Sequence, residues 1–97
     1  MANFWVSVPK AVAPSDAWPY DYAALLITDG TDEELKDFAK TYVKVDESQF
    51  RGGNFHNHVL LNVSQQTLAQ DEEAEELDDH DFCHKLLELA MGARLKA

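Results

Sequence analysis

The chain has a single cysteine, Cys83, so no internal disulfide framework can form, and a reducing, cytosolic setting fits best. No apolar run approaches the ~20 residues of a membrane span, and the opening MANFWVSVPK lacks the basic segment and long apolar stretch of a signal peptide. Basic residues are scarce: eight Lys and Arg stand against 18 Asp and Glu, for a net charge of −10. The bases are scattered, so direct binding to nucleic-acid phosphate is not expected without a metal or a local basic patch. Catalytic patterns are also missing. No serine sits in a nucleophile elbow, Gly52-Gly53 is not followed by the Lys-Ser/Thr of a phosphate loop, and neither a CxxC pair nor HExxH occurs. His80-Asp81 matches a dipeptide of metal-dependent phosphohydrolases, but those need further ligands spread over a longer helical domain. A non-catalytic role without cofactor is therefore expected.

What is present suits one folded domain spanning residues 1–97. Hydrophobic residues make up 45% of the chain, which rules against wholesale disorder, and a domain of this length buries roughly 60–70% of its unfolded surface. Phe4 to Val8 reads as a strand ended by Pro9, and Pro9, Pro14 and Pro19 mark a long loop. Ala23 to Thr28 (AALLIT) reads as a central strand, with Asp29-Gly30 as a turn. Thr31 and Glu34 form a capping box for a helix to about Tyr42, whose apolar face is Leu35, Phe38, Ala39 and Tyr42. Val43 to Val45 suggests a short strand. Phe55 to Val63 alternates as a half-buried strand, and Ser64 or Thr67 can cap a helix from Gln65 to about Glu76. A last helix runs from Asp78 to Leu95. The order predicts an α+β fold: a small, mostly antiparallel sheet with two to three helices packed on one face.

The densest feature is Asp71 to Asp81 (DEEAEELDDHD), with eight acids in eleven residues. Carboxylates at a helix start favour the positive end of its dipole, by roughly 0.3–1 kcal/mol each, and they aid solubility. Such a run also attracts basic protein surfaces. Laid on a helix, its eleven residues span about 16 Å, a charge per length comparable with duplex DNA at one charge per ~1.7 Å. Candidate partner-binding residues are Asp71, Glu72, Glu73, Glu75, Glu76, Asp78 and Asp79. A second candidate surface is the loop carrying Trp18, Tyr20 and Tyr22, which either lids the core or serves as an exposed recognition loop.

On a wheel of the last helix, Asp81, Lys85, Glu88, Gly92 and Lys96 form a narrow polar stripe, and apolar residues cover nearly all the rest. An arc this wide calls for burial on two sides or for a homodimer through this helix. Histidines and the cysteine form two groups. His56 and His58 share a strand face, and His80, Cys83 and His84 share a helix face. If the two platforms met they would offer zinc ligands, although their spacing matches no zinc motif.

In size and charge alone, the chain resembles phage-encoded inhibitors of host defence, including anti-CRISPR and DNA-mimic proteins. No motif carries that resemblance, and it assigns no residues. What it implies is an inhibitor that occupies a basic surface of a nucleic-acid-handling protein, without touching nucleic acid or membrane. The rival expectations are a zinc-binding protein or small metal-dependent enzyme, and a structural subunit of an assembly.

Overall fold

The computed structural model describes residues 2–51 and 57–96, with side chains as far as Met91. The strands are β1 (Phe4–Ser7), β2 (Lys10–Ala11), β3 (Tyr22–Thr28), β4 (Phe50–Arg51), β5 (His58–Leu61) and β6 (Glu75–Leu77). The helices are α1 (Asp32–Phe38), α2 (Val63–Asp71) and α3 (Asp79–Lys96), and α1 runs on into a π-helical segment, Ala39–Val43. The sheet order is β4-β5-β3-β1-β6. All of its pairings are antiparallel except β1 with β6, which is parallel. The fold is α+β, with a mixed, mostly antiparallel sheet.

AALLIT is the central strand because it is apolar on both faces. Ala24 and Leu26 join Val6, Val59 and Leu61 on one face, against Leu35, Phe38, Ala39 and Val43 of the first helical stretch and Ala69 of α2. Ile27 alternates to the other face and is fully buried there. On that side α3 packs across β1 and β6, with Phe82 only 3% exposed. Two helices therefore share one face, as expected, and α3 takes the opposite one. Its cover is partial: it lies over β1 and β6, and Leu25 of β3 and Leu60 of β5 stay half-buried. Among the described residues, no helix is long and apolar enough to cross a membrane.

Local chemistry sets most element boundaries. The predicted capping box is present: Thr31 Oγ1 accepts from the Glu34 amide at 3.1 Å, and Glu34 Oε1 accepts from the Thr31 amide at 3.0 Å. The expected α-helix to Tyr42 changes character at Ala39. The wider π-helical turn brings Val43 to the core and leaves Tyr42 48% exposed, so Tyr42 is not a core residue. Val43 to Val45 is not a strand, because Lys44 takes the left-handed conformation (φ 64°) that ends the helical segment. The expected start of β5, Phe55 and His56, and the Gly52-Gly53 turn lie outside the described residues. The cap of α2 is Asn62 rather than Ser64 or Thr67. Its Oδ1 accepts from the Gln65 amide at 2.8 Å, and Gln65 returns a side-chain oxygen to the Asn62 amide.

The largest departure lies in the acidic run. The helix expected to reach Glu76 stops at Asp71. Glu73 adopts φ 75°, and the Ala74 amide donates back to the Ala69 carbonyl at 3.0 Å while Glu73 donates to Gln70 at 3.0 Å. This is a Schellman ending with glutamate where glycine is usual. The chain then reverses into β6. Asp78 starts α3, its carboxylate accepting from the Asp81 amide at 2.8 Å.

Candidate interaction surface

The eight acids do not line one helix. They pass from the end of α2 through a turn, along strand β6 and into the first turn of α3. The helical charge spacing that matched duplex DNA therefore does not apply. Strand residues rise ~3.3 Å each, against 1.5 Å in a helix, and alternate between faces.

These carboxylates do different jobs. Glu76 lies beside Val6 in the parallel register and accepts from the buried Gln66 amide at 2.6 Å, while Gln66 also reaches the Ser7 carbonyl at 3.3 Å. That contact ties α2 to β1 and β6. Asp78 caps α3, and Asp79 pairs with Lys10 at 3.1 Å. Glu72, Glu73 and Glu75 are exposed, and their carboxylates make no hydrogen bond or ion pair to any described residue. They surround the outer edge of β6, the last strand of the sheet, which is unpaired among the described residues. Asp71 closes α2 beside them.

Two clefts flank this edge. One, of about 400 Å³, opens between the α2–β6 turn and the π-helical segment. Its aromatic wall is Phe4, Phe38 and Tyr42, and its rim carries Glu72, Glu73 and Glu75. Phe4 and Phe38 stack with centroids 4.0 Å apart at 13°, and Tyr42 tilts against Phe38 at 5.7 Å and 54°. The floor is fixed by Asn3, whose amide donates to Asp29 Oδ1 at 2.7 Å and whose carbonyl accepts from Thr28 Oγ1 at 2.7 Å. The Asn3 amide, with help from its side chain, holds the Asp29 carboxyl below the usual carboxylate range. The second cleft, of about 380 Å³, lies on the other face between β6 and α3, bordered by His80, Asp81, His84 and Lys85. There the Lys85 ammonium sits 4.8 Å over the Trp5 ring and 3.6 Å from Glu88.

Trp18, Tyr20 and Tyr22 do not lid the core. Trp18 Nε1 donates to the Tyr22 carbonyl at 3.1 Å, and the Trp18 and Tyr20 rings meet edge-on at 5.0 Å. Tyr20 and Tyr22 remain 46% and 49% exposed. The β3 register places this cluster at the end of the sheet away from the aromatic cleft, so the two candidate surfaces are separate.

His58 does not meet the group formed by His80, Cys83 and His84. β3 and β1 lie between β5, which carries His58, and β6, beside which α3 packs. At ~4.8 Å per strand that is roughly 14 Å. His80 and His84 do lie side by side along α3, their rings tilted at 48° with centroids 5.3 Å apart, and Cys83 is exposed rather than inside an apolar arc. His56 lies outside the described residues. No group of three or more His, Cys, Asp or Glu among the described residues is arranged to hold a metal ion. The apolar arc of α3 divides: Phe82 is buried and Leu86, Leu89 and Ala90 are half-buried, while Leu87 and Met91 are 52% and 59% exposed.

Sequence reasoning found the acids but missed Phe4, Phe38 and Tyr42 as cleft residues. A period of three to four reads identically for a core stripe and a cleft wall; only the π-helical turn separates them. No family model, no curated protein and no solved structure matches this chain.

Proposed function

We propose that the chain is a small, non-catalytic protein-binding module. It sets the acidic edge of β6 against a basic surface of a nucleic-acid-handling protein in the cytoplasm, as a phage-type inhibitor of the anti-CRISPR or DNA-mimic class would. The observation that carries the reading is the open strand edge ringed by Glu72, Glu73 and Glu75, whose carboxylates engage no described residue. An open edge offers backbone donors and acceptors to an extended partner segment, and the flanking charges choose a basic one. Charges on an edge also deter self-pairing, so the test must separate a site from mere net charge.

The probe is a fluorescent deca-lysine peptide, followed by anisotropy at several salt concentrations. Reversing Glu72, Glu73 and Glu75 to Lys is expected to weaken binding at least tenfold more than reversing Asp16, Glu33 and Asp37, three exposed acids elsewhere. Both triples change the net charge equally. Equal losses would mean that the edge is no site. Glu76 and Asp78 are left out because each holds the fold together.

A second reading, a homodimer or assembly subunit joined through α3, is favoured by one observation, the exposed Leu87 and Met91 one turn apart. Sedimentation that stays monomeric up to high micromolar concentration removes it.

A further inference from the structure

We infer that the cleft between the α2–β6 turn and the π-helical segment receives a single guanidinium side chain, an arginine of the basic partner. This inference rests on the protein-binding reading above and gives it a specific receptor. The cavity, rather than the acidic run, carries it. A pocket of about 400 Å³ is within the range that binds small groups, and this one joins an aromatic wall to an anionic rim. Phe4 and Phe38 stack on each other at 13°, and Tyr42, tilted 54° to Phe38 and 48% exposed, is the accessible ring of the wall. A cation gains from the Tyr42 ring and from the carboxylates together. A neutral apolar group would bring the rim carboxylates out of water with no compensation, and an anion would be repelled.

Among cations, the guanidinium fits the arrangement better than an ammonium. Its flat faces stack on a ring while its edge donates two parallel hydrogen bonds to one carboxylate. Glu72 and Glu73 stand on the turn at the rim of the cleft, so a side chain stacked on Tyr42 has acceptors at its end. The cleft begins where β6 begins, so an extended segment laid along the open edge carries one side chain into it.

The experiment titrates the isotopically labelled protein with N-acetylarginine methylamide, a single guanidinium, and separately with deca-lysine. The expected result is saturable shift changes from the arginine probe confined to residues around Tyr42, Glu73 and Glu75, with upfield shifts of the probe's own side-chain protons from the rings. Tyr42→Ala should weaken the arginine probe at least fivefold, and Tyr42→Phe should restore it. Tyr42 is half exposed, so neither change threatens the fold. If deca-lysine binds and responds to the Glu72, Glu73 and Glu75 reversal while the arginine probe gives only diffuse shifts, the cleft inference is overturned and the surface reading stands. If neither probe binds, both fall. Indifference of the arginine probe to Tyr42→Ala also overturns the cleft, because the charge alone would then be doing the binding.

Discussion

Glu73 occupies a backbone conformation that suits glycine, and its replacement separates stability from binding. At φ 75° an L-residue costs roughly 1–2 kcal/mol relative to a right-handed conformation. Glycine has no such cost but loses about 0.5–1 kcal/mol more chain entropy on folding. Glu73→Gly should therefore stabilise the protein by roughly 0.5–1 kcal/mol, a rise of about 2–6 °C in Tm for a domain this size. Glu73→Ala removes the same charge yet keeps the strained conformation. The gap between Gly and Ala thus isolates the backbone contribution, free of any relief of acidic repulsion. Urea unfolding followed by the fluorescence of Trp5 and Trp18 measures it. Both substitutions should weaken the arginine probe equally, since both remove one carboxylate from the cleft rim. A glycine variant no more stable than the alanine variant would refute the Schellman ending, and with it the turn that places Glu73 on the cleft. Lys44, at φ 64°, provides a matched control with no carboxylate.

Two further predictions concern the fold. Phe82→Ala should cost about 3–5 kcal/mol through the cavity beneath α3, and hydrogen exchange should rise across α3 and β6 before the β3–β5 pairing loosens, because Phe82 lies outside the main core cluster. Asp29→Ala should cost about 1 kcal/mol at pH 7 by removing the two bonds from Asn3. The Asp29 carboxyl is depressed in the folded state, so its contribution is full above the unfolded carboxylate value, about 4, and is lost as pH falls through the lower folded value. The difference in urea midpoint between wild type and variant should shrink below pH ~4; a constant difference would contradict it.

Much of the fold was legible in the residues because it depends on short-range chemistry. Thr31 and Glu34 are three apart, so their reciprocal cap needs nothing distant. AALLIT is apolar nearly throughout, and a central strand buried on one face and half-buried or buried on the other tolerates that. Errors arose where distant contacts outbid local preference. Glu75-Glu76-Leu77 has little strand propensity, and its pairing with β1 comes only from the sheet, as does the Gln66 bond to Glu76. Asn62 was hidden as a cap because alternation through Val63 extended the strand past its end.

The sequence by itself determined an acidic α+β domain whose lone cysteine allows no internal disulfide, with its charge concentrated between Asp71 and Asp81. Those properties follow from counts and neighbouring residues. Tertiary structure alone decided which acids are committed to the fold and which are left open. It did so because parallel pairing of β6 with β1 turns a run of like residues into alternating ones: Glu76 toward Gln66, Glu75 toward the clefts. It also brought Tyr42 from α1's continuation to face Glu73 from α2's end, 31 positions along the chain. No local pattern encodes that meeting, which depends on both helices packing over one face of the sheet.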